Sequence, residues 1–418
     1  MDFDVVVAGG GSAGLAAAVA AARLGARTLL VERNGLLGGM ASAALVHSIC
    51  GLYRLPKGDE PPALANGGFA EEFANRLIAA GGAAGPVRMG RVAVLLQRPV
   101  AFARLCDAIV GETPGLEVRL QSEIVGAEAD SLTVACRGRI GEVQARAFVD
   151  ATGDAVLAVL RGAPCEMEPA SRLQRPAYIF ALAGLEAGRL NDDGRLGLAR
   201  QITQAVKEGV LPTAALGAHF RASPQAGEAF VTIDLEGGPE FDPLDTACLT
   251  RLETEGREVA VRLADFLRRQ VAGFAASYVA AWPARAGVRE SRRIVGRYRL
   301  EGSDLESGAQ FPDSVAFAAW PMELRETARG PRLRFPEGDA PCGIPLRALR
   351  ARDDKALFMA GRCISCTHEA QASVRVIGTC LATGEAAGLA AALQVLHREC
   401  DAAAIRAAQL ETPRRTTL

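Results

Sequence analysis

An excess of either charge is what this sequence most plainly lacks. Its 418 residues carry 47 Lys and Arg against 48 Asp and Glu, a net charge of −1. With no basic excess to neutralise phosphates, nucleic acid is not expected as a partner. Apolar runs are always interrupted before the roughly 18 residues that a membrane span needs, so no stable membrane insertion is expected. Met1 to Asp4 hold two acids where a secretory signal needs basic residues, so a cytoplasmic location is expected. Internal repeats and low-complexity linkers are missing. No C-x₂-C-x₂-C run occurs, which excludes an iron–sulfur cluster bound in that way. Histidine is scarce, with four in the chain.

What is present is ordinary for a globular protein. Hydrophobic residues make up 49% and charged residues 23%, with mean hydropathy +0.13. At about 150 residues per domain the length suits two to three domains. Ten cysteines in a chain read as cytoplasmic are expected to be reduced thiols. Glycine is abundant, 45 of 418 residues, which points to places where the backbone must approach something closely.

Residues 3–8 form a short β-branched apolar run, 12–24 an Ala-rich helix, and 27–32 a second strand. Gly9, Gly11 and Gly14 lie between the first strand and the helix as G-x-G-x-x-G, and Glu32 follows 18 residues after Gly14 (32 − 14). This is the dinucleotide-binding pattern: Gly9 permits the tight turn and Gly11 a close approach of pyrophosphate to the helix N-terminus. Gly14 permits helix–strand packing, and Glu32 accepts from ribose hydroxyls. Ser12 and Ala13 belong to the same loop. Further strands are expected at 116–121, 123–128, 131–137 and 143–150, with a helix at 98–110. From about 166 to 340 the pattern changes, with strands at 177–184 and 228–236 and helices at 196–208 and 246–271. A strand at 356–361 and a long small-residue helix from 377 to 397 close the chain. The expected fold class is α/β: a Rossmann-like FAD-binding domain with a parallel sheet, 1–165 plus 341–418, and an inserted α+β substrate domain, 166–340.

The Gly-rich segment after Glu32, from Arg33 and Asn34 through Gly39, Met40, Ala41 and Ser42, suits a flavin, whose ribityl chain and ring extend across the sheet. Together these blocks resemble the glutathione-reductase-like flavoproteins. Residues 149–154, with Ala151, Thr152, Gly153 and Asp154, are similar to that group's second fingerprint. Residues 288–300 and 344–388 resemble the bacterial FAD-dependent oxidoreductase family, and the resemblance covers nearly the whole chain. It implies FAD as cofactor. It also implies contacts from Ile124 and Val125, from Gly361 and Arg362, and from Gly378, Thr379 and Cys380 at the start of the 377–397 helix. That helix start carries partial positive charge, which would favour the anionic reduced flavin.

Candidate catalytic residues follow. Cys363 and Cys366 form CxxC. A redox pair, a zinc site completed by the isolated Cys342 and Cys380, and coincidence compete for it. The resemblance implies cysteine at the first position and a small residue at the second. His368 is a candidate acid or base, or a structural histidine, and His47 is a second candidate. His219 and His397 read as structural or exposed. Arg289 and Arg293 lie four apart in an arginine-rich run from Arg285 to Arg299 and suit a carboxylate or a proton relay. Arg375 is a further candidate for carboxylate or pyrophosphate. After Trp320-Pro321, where the resemblance implies an acid-x-His pair, the chain has Glu323-Leu324-Arg325. No metal site is expected.

No second G-x-G-x-x-G occurs, so no separate nicotinamide domain is expected. The redox partner would be dioxygen, a quinone or another carrier, and homo-oligomer formation is left open. The expected function is hydride transfer between a small organic substrate and flavin N5, as a dehydrogenase or oxidase, or as a C=C reductase in reverse. A flavin monooxygenase is the alternative, and a flavin-binding protein without redox activity the third reading.

Overall fold

The computed structural model describes residues 1–236, 240–327, 330–398 and 400–411. Five short strands form the central sheet, in the spatial order Leu357–Met359, Ala147–Asp150, Val5–Ala8, Thr28–Val31, Leu116–Arg119. All four pairings are parallel. Val5, Val6, Val7 and Ala8 are fully buried, as expected of a parallel strand covered on both faces. The chain leaves Val5–Ala8 in one direction, through Thr28–Val31 to Leu116–Arg119, then returns to Ala147–Asp150 on the other side. This reversal is a topological switch point, and ligands of open α/β sheets bind at its carboxyl end. The register pairs Ala8 with both Asp150 and Val31, so Gly9, Ala151 and Glu32 emerge side by side.

The helices Ser12–Arg23 and Ile377–Val395 are packed backbone to backbone. A Cβ on Gly384 would lie 2.1 Å from the Ala13 carbonyl oxygen, and one on Gly388 2.1 Å from that of Ala17. The small residues of both helices are therefore required by their approach.

A second, four-stranded sheet has the order His219–Ala222, Glu228–Asp234, Ala177–Ala183, Tyr278–Ala281. With the helix Thr246–Gln270 it builds a separate core from residues between Leu173 and Ala286. Ile294, Leu300, Val315, Met322 and Leu324 instead pack into the first core. They lie within the stretch that the change of periodicity assigns to the insert. The expected single strand at 143–150 is two, Arg139–Gln144 in a β-meander and Ala147–Asp150 in the central sheet. No single helix among the described residues is long and apolar enough to cross a membrane.

Glu385, 2% exposed on Ile377–Val395, accepts from the Phe69 N–H at 2.9 Å, at the start of the helix Phe69–Ala79. Burial pushes its carboxyl up to about 7, opposed by that hydrogen bond and reinforced by Glu72. The folded chain therefore holds this proton more tightly than the unfolded chain, whose glutamate titrates near 4.3. Stability is fully present below the unfolded value and falls as pH rises toward about 7. Glu385→Gln removes the ionisation and is expected to stabilise the protein by up to ~3 kcal/mol at pH 8 and by almost nothing at pH 4. Thermal melts at the two pH values check this; an equal difference at both would contradict it.

Candidate active site

The glycine loop shows why the spacing matters. Gly9 has φ +92°, and a Cβ there would lie 2.7 Å from the Ala151 carbonyl oxygen. A Cβ on Gly14 would lie 1.7 Å from the Gly9 carbonyl oxygen. Gly11 differs: its φ is −69° and its nearest neighbour would be the Gly39 Cα at 3.8 Å. Gly9 and Gly14 are glycine for the protein's own packing, while the side of Gly11 is open to a ligand.

Glu32 ties this loop together. Its Oε2 accepts from the Gly10 N–H at 2.6 Å, and its Oε1 from the Asn34 N–H at 2.8 Å and from the Asn34 side chain. A carboxylate offers about four acceptor positions, so one remains on Oε2.

Gly9, Gly11, Ser12 and Ala13 line a cleft of about 1020 Å³, part of it open to solvent. Glu32, Arg33, Asn34, Ser122 and Ile124 line it beside the Thr28–Val31 end of the sheet. Ala151, Thr152, Gly153, Gly361 and Arg362 line its middle, and Met40, Arg375, Ile377 and Cys380 complete it. Three strand spacings separate Thr28–Val31 from Leu357–Met359, about 14 Å at ~4.8 Å each. The cleft therefore crosses the carboxyl ends of the sheet, as an extended dinucleotide requires.

The middle carries a fixed charge network. Asp154 Oδ1 accepts from Arg362 Nη2 at 2.6 Å and from the Ser291 hydroxyl at 2.7 Å. Burial pushes its carboxyl up, but Arg362, Arg285 and the Ser291 hydrogen bond outweigh this and hold it at about 2. Arg285 also lines the cleft; burial and then the Arg33 charge lower it to about 10. It remains a cation at neutral pH, placed beside Arg33.

The other expected contacts are placed as follows. Gly39 lines the cleft, while Ala41 and Ser42 are buried behind it, with the Ser42 hydroxyl donating to the Leu37 carbonyl at 2.6 Å. The Val125 side chain is 47% exposed and does not line the cleft. Gly378 faces the chain itself: its N–H donates to the Cys50 carbonyl at 2.9 Å, and a Cβ would strike Leu52 N at 2.4 Å. Thr379 is fully buried, and its hydroxyl oxygen has no partner.

None of His368, Arg289, Arg293 and Cys363 lines the cleft. His368 is 1% exposed, its Nδ1 2.8 Å from Glu290 and its Nε2 3.1 Å from Glu326. Burial opposes its charge, but Glu290 and Glu326 raise its pKa. Both of its ring nitrogens are held, one by Glu290 and one by Glu326. Arg293 donates to Glu290 at 2.5 Å and Glu168 at 3.2 Å, and Arg289 to Asp234 at 2.7 Å. The Cys363 thiol is buried against the Asp150 and Ala360 carbonyl oxygens, 3.5 Å from each. Burial pushes it well above the ordinary thiol range. Cys366 is likewise buried, its thiol on the Ile364 carbonyl and raised by burial to about 12. Neither thiol has the electropositive, partly exposed setting of a reactive cysteine.

Asn34, Ser122, Val156, Arg285 and Ile377 line the cleft without being among the expected cofactor contacts, while Arg375, a candidate for carboxylate or pyrophosphate, lines it as well. For Arg375 a signal existed: it is the one charged residue between Ala370 and Gly384.

An open glycine flank, a partly free carboxylate at the ribose position and paired arginines fit FAD. The profile of the family described as FAD dependent oxidoreductase matches residues 4–412. Among solved structures, the chain resembles p-nitrophenol 4-monooxygenase from Pseudomonas putida at TM-score 0.50 and 10% identity, covering 94% of this chain and 80% of that one. A geranylgeranyl bacteriochlorophyll reductase-like protein from Thermoplasma acidophilum gives TM-score 0.46 and 12% identity, covering 98% and 82%. At 10% identity the likeness to the monooxygenase speaks for the fold alone. The match over nearly the whole length does more: this chain belongs to the FAD dependent oxidoreductase family and is an enzyme whose cofactor is FAD.

Proposed function

We propose that the enzyme moves hydride between a small organic substrate and flavin N5, as a dehydrogenase or oxidase, or as a C=C reductase when run in reverse. When bound, FAD supplies the hydride chemistry itself. The chain's own residues hold and orient. Glu32 and the Gly11 flank take the adenosine and pyrophosphate end, with Arg33 and Arg285 as neighbouring cations. Arg362, fixed by Asp154 and Ser291, borders the middle. The flavin end then lies toward Arg375 and Ile377.

One observation carries this reading: Arg375 both lines the cleft and reaches the interior shared with the second sheet. Its Nη2 donates to the Gln174 side chain at 3.1 Å. Beyond it, Arg289 and Arg325 bind the two oxygens of Asp234, a residue of that sheet, at 2.7 and 2.6 Å. A substrate between the two units would meet the flavin end and be shielded from water.

Fractions of a cell extract that bleach the FAD-loaded protein without oxygen identify a substrate. With that substrate and isotopically labelled dioxygen, the expected product has lost two hydrogens and contains no label. Label in the product would overturn hydride transfer in favour of a monooxygenase.

A further inference from the structure

Behind Arg375 the interior holds more positive charge than it neutralises. Three arginines, Arg289, Arg325 and Arg375, lie close enough to act on one another and on Asp234 or Glu323, and Arg221 joins them through Arg325 and Glu323. Both carboxylates are spent. Asp234 accepts from Arg289 and Arg325, and Glu323 from Arg325 Nε at 2.7 Å and Trp320 Nε1 at 2.9 Å. Glu290, the next acid felt by Arg375, is spent on Arg293 and His368. Among the described residues, the neighbouring histidines and cysteine do not supply the missing charge. Burial pulls the His47 and His219 imidazoles down to about 3 and about 4, so both are neutral. Cys50 borders Arg375, Arg325 and Arg221, and burial keeps it a thiol.

Two of the four arginines have neutral partners only. Arg375 donates to the Gln174 side-chain oxygen at 3.1 Å and to the Glu323 backbone carbonyl at 3.5 Å, and its buried Nε has no partner. Arg221 donates to the Phe220 carbonyl at 3.4 Å. Burial, and then repulsion from Arg289, pull Arg375 down to about 10, which still leaves it charged. An unpaired buried cation is costly and is retained where an anion completes it.

We propose that the substrate is a small organic acid whose carboxylate is held by Arg375, with Arg221 as the second cation. A guanidinium offers a planar fork matched to a carboxylate. The placement of Arg375 in the cleft wall sets the rest of such a molecule against the flavin end. The inference rests on the functional reading above and names its substrate class.

The test is calorimetric titration of the FAD-loaded protein with acetate, succinate and benzoate, against acetamide, succinamide, benzamide and inorganic phosphate. At least one carboxylate is expected to bind, and the matching amide not. Arg375→Gln is expected to weaken that carboxylate by about 10- to 100-fold while FAD content stays at one per chain. Arg375→Lys, which keeps the charge without the fork, is expected to fall between, and Arg221→Gln to weaken binding less than Arg375→Gln. Binding of none of the carboxylates, equal binding in Arg375→Gln, or preference for phosphate would overturn the proposal. So would loss of FAD in Arg375→Gln, because the arginine would then serve the cofactor. In each of the first three cases a bound, reducible flavin leaves the hydride-transfer reading standing, which separates the two failures.

Discussion

Gly384→Val is expected to destabilise the fold severely and to abolish FAD binding. A Cβ at this position would lie 2.1 Å from the Ala13 carbonyl oxygen and 2.8 Å from Ala13 C and Cα. These are backbone atoms of the helix Ser12–Arg23, so no side-chain rotation relieves the overlap. Overpacking a core typically costs 1–3 kcal/mol, and more where backbone must move. With valine the loss is expected to reach roughly 4–5 kcal/mol, against a total stability of about 5–15 kcal/mol. Function is lost with it, because Ala13 lines the cleft and any retreat of its helix moves the loop at Gly11. Gly141→Ala is the control: nothing lies within 4 Å of its Cβ position and its φ is unremarkable. Denaturant unfolding of the three proteins checks the prediction. A Gly384→Val protein as stable as the control would refute the close helix crossing.

Gly11→Ala is expected to do the opposite, sparing the fold and removing the cofactor. With φ −69° the backbone accepts alanine, and only Gly39 Cα approaches, at 3.8 Å. The added methyl then occupies the space a pyrophosphate needs beside the helix N-terminus. FAD affinity is expected to fall at least ~100-fold, about 2.7 kcal/mol. The melting temperature of the FAD-free protein should stay within about 2 °C of the parent, as for a surface change under 0.5 kcal/mol. Quenching of flavin fluorescence on titration measures the first, and a thermal melt the second. Wild-type affinity in the variant would mean that the pyrophosphate lies elsewhere.

What could be read from sequence was what is encoded locally. The β-α-β unit from residue 3 to 32 is local, so the glycine loop, its helix and Glu32 emerge where their spacing puts them. The parallel strand at 147–150 is also recognisable, because a strand buried on both faces reads as a continuous apolar run. The chemistry was less legible because it is assembled from distant segments. Arg289 and Arg293 looked available in sequence, yet their partners Asp234, Glu290 and Glu168 consume them. His368 has a histidine's usual versatility in isolation and loses it between Glu290 and Glu326. Glu323 and Arg325 depart from the pair that the resemblance implies: Arg325 adds a cation to the arginine cluster, and Glu323 pairs with it. The helix Phe69–Ala79 was readable from Phe69, Phe73 and Leu77 at helical spacing, but its neighbours are glycine- and proline-rich and drew it into an unassigned stretch.

FAD is expected to lie across the carboxyl ends of the parallel sheet, with its adenosine at Glu32 and its ring toward Arg375. A crystal structure of the FAD-loaded chain tests this most directly. A ribose hydroxyl donating to Glu32, pyrophosphate against Gly11, and the ring system beside Ile377 and Arg375 are the expected result. A dinucleotide in the reverse direction, or bound outside this cleft, would contradict it.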